Sequence, residues 1–119
     1  MGASFKELEV WQRAVQLSLA TYKLTSSFPD SERFGLTNQL RRASVSVASN
    51  IAEGYGRSTK GEYLQFLGHA RGSNCELQTQ IVIAEGIGLG KEPLRRQVEG
   101  FSDEVSHVLV AIMNKLRRG

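Results

Sequence analysis

Apolar residues recur every three or four positions along almost the whole chain, which is the spacing of one face of an α-helix. The pattern predicts four helices, near residues 5–26, 32–54, 59–88 and 93–117. No segment shows the sustained alternation and β-branched enrichment of a strand, and the connections are short. We therefore expect an all-α, antiparallel up-down-up-down four-helix bundle that forms one domain over residues 1–119.

The first predicted helix has more apolar surface than one helix contact uses, because its apolar residues form two neighbouring stripes. One stripe consists of Leu8, Trp11, Val15, Ser18 and Tyr22. The other consists of Val10, Ala14, Leu17, Thr21 and Leu24. Large exposed apolar patches usually mark interfaces, so this surplus predicts self-association.

Residues with capping side chains precede three of the helices. They are Ser4, Asp30 or Ser31, and Thr59. Glu7 and Glu62 lie three residues after Ser4 and Thr59, which fits two capping boxes. Pro93 suits the first turn of the fourth helix.

The second predicted helix combines an apolar stripe with many small residues. Its core positions are Leu36, Leu40, Ala43, Val47 and Ile51. The serine- and alanine-rich run 43–52 lets another helix approach closely. Gly54 and Gly56 are expected to end this helix.

Six polar residues fall near the core-facing sides of the second and third helices. They are Gln39, Arg42, Asn50, Glu53, Ser73 and Glu76. Buried polar groups destabilise a fold unless they are paired, so Asn50, Glu53 and also Glu76 are expected to be at least half buried and hydrogen-bonded. The favoured interpretation is a structural network that fixes helix register or a subunit contact. The alternative is a ligand site or a catalytic carboxylate.

The residues that support catalysis or metal binding are few. Neither His69 nor His107 has a His, Cys or carboxylate three or four residues after it. Cys75 lacks a neighbouring His and is expected to be a packed thiol. The segment GIGLGK at 86–91 lacks the strand and the Ser or Thr of a phosphate loop. We therefore predict no catalytic residue, no metal site, no cofactor and no enzymatic activity.

Composition and charge describe an ordinary chain with a mildly basic balance. Its 119 residues are 40% hydrophobic and 23% charged, with a net charge of +3. Three features predict a cytoplasmic protein that does not enter membranes. The chain has a lone cysteine, it has no apolar run of the roughly 20 residues that span a bilayer, and its N-terminus does not resemble a leader. The isoelectric point of about 9.3 permits a polyanionic partner without requiring one.

Several basic residues flank the second-to-third helix turn or lie at the C-terminus. The candidates for nucleic-acid binding are Arg57, Lys60, Arg71, Lys115, Arg117 and Arg118. Scattered charges of this kind are usually solvated surface. In a closed oligomer, however, modest patches combine into a ring-shaped positive field that suits the backbone of RNA or DNA.

The segments QLRRASVSVASNIAEG at 39–54 and RSTKGEYLQFLGHARGS at 57–73, followed by Glu76-Leu77, resemble the proteins encoded in intervening sequences of bacterial 23S rRNA genes. Flanking matches are Phe5, Leu8, Val10, Trp11, Phe28-Pro29, Glu32 and Phe34-Gly35-Leu36. The resemblance implies a four-helix bundle that assembles as a ring-like homopentamer and has no established catalytic activity. The accessory proteins of diversity-generating retroelements, which are similar in fold, combine a basic pentamer with nucleic-acid and reverse-transcriptase partners.

The expected function is therefore that of a non-enzymatic, oligomeric accessory protein that associates with nucleic acid, RNA in particular. Its expected partners are further copies of itself, structured RNA or DNA, and a nucleic-acid-processing protein. The alternative is a homo-oligomeric scaffold that binds another protein and no nucleic acid.

Overall fold

The computed structural model describes residues 4–119, and these form four α-helices with two short 3₁₀ turns and no strand. The helices are α1 (Glu9–Thr25), α2 (Leu36–Tyr55), α3 (Lys60–Gly86) and α4 (Glu92–Arg118). The 3₁₀ turns are Phe5–Glu7 and Asp30–Glu32. The all-α prediction is confirmed.

The helices run antiparallel, as contacts along each pair show. Residues later in α1 meet residues earlier in α2: the Ser18 and Ser44 hydroxyls lie 3.2 Å apart, and Thr25 Oγ1 accepts a 2.8 Å hydrogen bond from Arg41 Nε. In the α2–α3, α3–α4 and α1–α4 pairs, too, residues later in one helix contact residues earlier in the other. Within the described chain, α1 contacts α2 and α4 but not α3, and α2 does not contact α4. These relations are those of an up-down-up-down bundle.

The core runs along the axis of a molecule measuring 45 × 22 × 20 Å. The largest fully buried side chains are Leu17, Leu24, Leu40, Ile51, Leu67, Leu77, Ile81, Leu109, Val10, Val47, Val98 and Val105. Of the two stripes on α1, the one from Val10 to Leu24 is buried, whereas the one from Leu8 to Tyr22 lies at the surface edge. Helix α1 therefore does retain apolar surface that the bundle leaves uncovered.

The N-terminus of α1 differs from the prediction. Ser4 caps the 3₁₀ turn instead of the helix, since its hydroxyl accepts a 3.1 Å hydrogen bond from the Lys6 N–H. Leu8 is extended and α1 begins only at Glu9. The turn folds back because the Phe5 ring packs edge to face on Trp11, with ring centroids 5.2 Å apart.

The start of α2 also differs, because neither Asp30 nor Ser31 caps it. Asp30–Glu32 forms a separate 3₁₀ turn, and the carboxylate of Glu32 accepts a 3.0 Å hydrogen bond from the Leu36 N–H. A longer side chain from the preceding turn thus satisfies one of the free donors at the helix start. The Thr59 cap of α3 is confirmed, with the Glu62 N–H donating to the Thr59 hydroxyl at 3.1 Å.

The predicted end of α2 is confirmed at Gly56, which is the C-cap after Tyr55, but Gly54 lies within the last turn and neither glycine has a positive φ. A Cβ on Gly54 would lie 2.7 Å from Phe66 Cβ and 3.2 Å from a ring carbon of Tyr63. The glycine is therefore needed for the close approach of α2 and α3. Glycines with positive φ instead follow α3, where Gly88 and Gly90 have φ of 78° and 81°.

Candidate nucleic-acid interface

Five of the six predicted nucleic-acid-binding residues lie at one end of the bundle, which we call the basic end. They are Arg57, Lys60, Lys115, Arg117 and Arg118, and all five are exposed. The antiparallel topology brings them together: Asn74 of α3 is level with Ser102 of α4, to which it is hydrogen-bonded. Lys60 lies as many residues before Asn74 as the last turn of α4 lies after Ser102. Because α3 and α4 are antiparallel, Lys60 is therefore level with the last turn of α4.

Arg57 is the most constrained residue of the basic end. Its guanidinium lies 3.6 Å from the Glu53 carboxylate and stacks over the Phe66 ring, 4.6 Å from the centroid. Phe66 in turn packs edge to face on His69, with centroids 5.7 Å apart. These contacts orient Arg57, and the exposed ion pair offsets part of its charge.

The other four cations of the basic end are unpaired. Within residues 4–119, Lys60, Lys115, Arg117 and Arg118 form no ion pair. The nearby carboxylate of Glu62 accepts a 3.1 Å hydrogen bond from the Thr59 hydroxyl. The basic end therefore presents positive charge to solvent.

Arg71 lies apart from the basic end. It is exposed on α3, and at 1.5 Å per residue it stands about 16 Å further along the helix than Lys60. The sequence grouped Arg71 with the other candidates, but a ligand confined to the basic end does not reach it.

The predicted polar cluster divides into a hydrogen-bonded part and an exposed part. Asn50 Nδ2 donates to the Ser46 carbonyl at 2.8 Å and to the Ser46 hydroxyl at 3.0 Å. The Ser46 hydroxyl also lies 2.8 Å from that of Ser73, across the α2–α3 contact. Asn50 and Ser73 are thus half-buried members of a small interhelical network, as expected.

The remaining members, Gln39, Arg42, Glu53 and Glu76, are exposed. Glu53 and Glu76 were expected to be at least half buried and hydrogen-bonded, and the Glu53 side chain is 49% exposed, which is close to that limit. Glu53 pairs with Arg57. Gln39, Arg42 and Glu76 instead line an open cleft of about 360 Å³ between α2 and α3.

The most deeply buried polar network was not predicted. Between α3 and α4, Asn74 Nδ2 donates to the Ser102 carbonyl at 3.0 Å, and the Ser102 hydroxyl donates to Asn74 Oδ1 at 2.7 Å. Gln78 Nε2 adds a 2.8 Å hydrogen bond to the same hydroxyl. The sequence contained a signal: Asn74 and Ser102 occupy apolar-period positions, with Leu77 and Val105 next on their stripes.

Arg41 has a structural role at the α1–α2 contact. Besides its hydrogen bond to Thr25, its guanidinium lies over the Tyr22 ring, 4.5 Å from the centroid. A cation held by a hydroxyl and an aromatic face is oriented in place, so Arg41 is a poor probe of nucleic-acid binding.

Two further side chains, those of Tyr63 and Cys75, carry groups that could take part in chemistry. Burial, and then the neighbouring Tyr55, raise the pKa of the Tyr63 hydroxyl above its usual 10.0. Cys75 is exposed, so the expected packed thiol is wrong. Among residues 4–119, no group of three or more His, Cys, Asp or Glu side chains is arranged to hold a metal.

The hydropathy of the four helices differs from that of membrane-spanning segments. In the described part of the chain, none combines the length and the apolar character that crossing a membrane requires.

Comparison with known proteins gives a family and a structural neighbour. No curated protein matches the chain. A crystal structure of a protein of unknown function from the S23 ribosomal protein family of Bacteroides thetaiotaomicron superposes with a TM-score of 0.78 at 16% identity, covering 87% of this chain and 97% of that one. At that identity the likeness concerns the fold. The sequence pattern of the 23S rRNA-intervening sequence proteins matches residues 6–111, nearly the whole chain, and the protein therefore belongs to the 23S rRNA-intervening sequence protein family.

Proposed function

We propose that this protein is a non-enzymatic, homo-oligomeric accessory protein that binds structured RNA through its phosphate backbone. The observation that supports this most directly is the group of four exposed, unpaired cations at the basic end: Lys60, Lys115, Arg117 and Arg118. They come from two helices that are distant in sequence.

Phosphate contacts of this kind are set by charge and spacing more than by base sequence. Lysine and arginine neutralise phosphates and release condensed counterions, which makes the affinity depend steeply on salt. An A-form helix hides its base edges in a deep, narrow groove, so a rigid array of cations recognises the shape of its backbone. The expected partner is therefore folded RNA, with duplex DNA as a weaker ligand.

Self-association is supported by apolar surface on two different faces. An open groove between α1 and α2 is lined mainly by apolar and small residues, and two of them, Leu19 and Val45, are 65% and 42% exposed. A second groove, between α3 and α4, includes Val82, which is 65% exposed. The two grooves lie on different faces of the bundle, and a head-to-tail ring uses two different surface patches of each subunit.

A ring would strengthen the proposed interface. If the ring axis runs parallel to the helices, all basic ends lie on one rim and their charges act together on one polyanion. The pentamer expected from the family resemblance would place five copies there. A nucleic-acid-processing protein is a further proposed partner of such an assembly.

The RNA proposal is tested by titrating a labelled RNA hairpin with wild type and with Lys60→Glu/Arg117→Glu at several salt concentrations. Each lost phosphate contact lowers the log–log salt slope by about 0.7–0.9, so the double variant should bind at least about tenfold more weakly with a shallower slope. The matched control is Lys23→Glu/Lys91→Glu, an equal charge change on exposed residues at the opposite end. No binding by wild type at tens of micromolar contradicts the proposal, and equal loss in both variants moves the interface away from the basic end.

The second candidate function is a homo-oligomeric scaffold without nucleic-acid binding, which the α1–α2 groove also supports. Light scattering should give an oligomer mass for wild type, and Leu19→Glu should reduce it by placing a charge in the groove. Gln16→Glu, an exposed position on the same helix, is the control and should leave the mass unchanged. A wild-type monomer across micromolar concentrations would exclude both oligomeric functions.

A further inference from the structure

A second polar feature lies outside the basic end, in the open cleft between α2 and α3, which we call the α2–α3 cleft. It measures about 360 Å³ and is lined by Asn38, Gln39, Arg42, Ala43, Ser46, Glu76 and Gln80. The Ser46 hydroxyl is already engaged with Asn50 and Ser73. The other polar side chains of the lining form none of the ion pairs or side-chain hydrogen bonds described above.

Gln80 is the unusual member of this lining. It is only 6% exposed, and its Oε1 is enclosed and accepts no hydrogen bond from any residue of 4–119. Most buried side-chain oxygens in folded proteins have a donor, so an enclosed acceptor without one points to a missing partner. Gln80 lines the α2–α3 cleft, and the last torsion of a glutamine is soft, so its amide can reorient when a ligand occupies the cleft.

The two walls of the cleft have opposite hydrogen-bonding character. On the α2 wall, Arg42 can only donate, and the amides of Asn38 and Gln39 lie beside it. On the α3 wall, the Glu76 carboxylate can only accept, and Gln80 follows one helical turn later on the same side. A purely anionic ligand would meet Glu76, and a purely cationic one would meet Arg42. The cleft therefore suits a ligand with acceptors along one edge and donors along the other.

We propose that the α2–α3 cleft binds an unpaired guanine base of the RNA partner, an assignment that rests on the proposed RNA-binding function. Guanine offers O6 and N7 acceptors that match an arginine, and this is the commonest specific contact between arginine and a base. Its N1–H and N2–H donors face the other way, towards Glu76 and Gln80. Adenine and cytosine each have one amino donor group, and the single imide N–H of uracil lies between two acceptors, so only guanine presents two adjacent donors to Glu76 and Gln80.

The position of the cleft fits an RNA that also contacts the basic end. Arg42 lies about 20 Å along α2 from its last residue, Tyr55, at 1.5 Å per residue, and Arg57 follows in the next turn. A folded RNA has both parts: a paired stem that presents phosphates, and a loop whose unpaired bases are splayed out and read on their edges. The basic end would provide affinity, and the cleft would provide base preference.

The direct test is calorimetric titration with guanosine, inosine and adenosine 5′-monophosphates. Inosine lacks only the N2 amino group of guanosine. Wild type should bind guanosine monophosphate about tenfold more tightly than inosine monophosphate, which is the usual size of such a contact, and adenosine monophosphate more weakly than either. Equal affinity for guanosine and adenosine monophosphates, or no binding of guanosine monophosphate at millimolar concentration, overturns the proposal.

Two variants separate recognition from folding. Glu76→Gln should abolish the preference for guanosine over inosine monophosphate, whereas Glu85→Gln, an exposed carboxylate on the same helix outside the cleft, should retain it. Gln80→Leu removes an unpaired enclosed acceptor, so it should remain folded and still lose affinity for guanosine monophosphate. A Gln80→Leu protein that binds it like wild type contradicts the assignment of Gln80.

An RNA experiment distinguishes failure of this site from failure of the proposed function. One hairpin carries guanines in its loop and a second carries adenines, with identical stems. Wild type should bind the guanine loop about tenfold more tightly than the adenine loop, and Glu76→Gln should reduce this preference while the Arg42 contact to O6 and N7 remains. Equal binding of both hairpins to wild type refutes the cleft while leaving the basic end in place. Binding of guanosine monophosphate with no binding of either hairpin supports the site and refutes RNA binding.

Discussion

Helix α3 packs against α2 through small residues and against α4 through buried amide and hydroxyl groups. At the α2–α3 contact, Gly54 lets the backbone approach Phe66 so closely that an added Cβ would lie 2.7 Å from Phe66 Cβ. At the α3–α4 contact, Asn74 and Ser102 exchange two hydrogen bonds in the core. One helix thus uses two different means of fixing its neighbours.

The two contacts specify different properties of the bundle. Small residues reduce the distance between helix axes, but by themselves they tolerate sliding along the axis. A buried amide tolerates no sliding, because a shift of one turn separates it from its partner and leaves polar groups unsatisfied. We infer that the α2–α3 contact sets helix spacing and that the α3–α4 network sets register.

The largest effect is expected at the α3–α4 network. Asn74→Ala removes both bonds to Ser102 and leaves the buried Ser102 hydroxyl and carbonyl each with one partner fewer. We expect the free energy of unfolding to fall by about 2–3 kcal/mol, measured by urea denaturation. A loss no larger than that of an exposed substitution such as Asn114→Ala would show that register is set elsewhere.

The α2–α3 spacing is tested by Gly54→Ala. An alanine gains about 1 kcal/mol of helix propensity but forces its Cβ against Phe66 and Tyr63, and overpacking costs about 1–3 kcal/mol. We therefore expect a net destabilisation of up to about 2 kcal/mol. Gly72→Ala in α3, where an added Cβ meets nothing within 4 Å, is the control and should stabilise the protein. Stabilisation by both changes would show that α2 and α3 can separate freely.

The Asn50 network at the α2–α3 contact should matter less than the α3–α4 network. Asn50 is half-buried and its donor bonds go to Ser46 on its own helix. Because water can replace part of these bonds, Asn50→Ala should cost about 0.5–1.5 kcal/mol in thermal or urea unfolding. A cost above that of Asn74→Ala would reverse our ordering of the two contacts.

The smallest effect is the pH dependence of stability that Tyr63 causes. Tyr63 lies at the α2–α3 contact beside Gly54. The pKa of Tyr63 is raised by burial and then by Tyr55, so the folded state favours the neutral phenol. The contribution of this phenol to the free energy of unfolding is therefore fully present below the unfolded pKa of 10.0. It is lost as the pH rises through the raised pKa of the folded state. Tyr63→Phe should have a shallower loss of stability in alkaline unfolding curves than wild type. Parallel curves would assign the alkaline loss to other groups.

Several parts of the fold followed from local pattern. Four apolar repeats predicted four helices, and the stripe Leu40, Ala43, Val47 and Ile51 is buried as expected. Thr59 caps α3 because an N-cap needs only a short oxygen-bearing side chain and extended backbone at one position. These features depend on neighbours within a few residues of each other, which a sequence displays directly.

The errors arose where a distant residue decided the local structure. Ser4 was a sound capping candidate, yet the packing of Phe5 on Trp11 turns it into the cap of a separate turn. Gly54 had the composition of a helix stop, yet its role comes from Phe66 on the next helix. Cys75 was expected inside, but only the rotation of its helix against its neighbours determines which side is covered.

The candidate sites divide in the same way. The sequence alone identified the basic residues of the proposed interface and three of the seven residues that line the α2–α3 cleft, Gln39, Arg42 and Glu76. It gave no reason to separate Arg71 from Lys60 or to add Gln80, because those relations depend on helix rotation and on distance along the bundle.

The sequence by itself determined that the chain forms four helices, that it is mildly basic, and that one helix has surplus apolar surface. Helical periodicity, charge and hydropathy are properties of residue types and short spacings, so they need no partner to be visible. The tertiary structure alone decided that Lys60 and Arg117 share one end, that Asn74 meets Ser102, and that the Gln80 oxygen is enclosed without a donor. Each of these relations joins residues from different helices, and packing of the whole bundle was needed to bring them together.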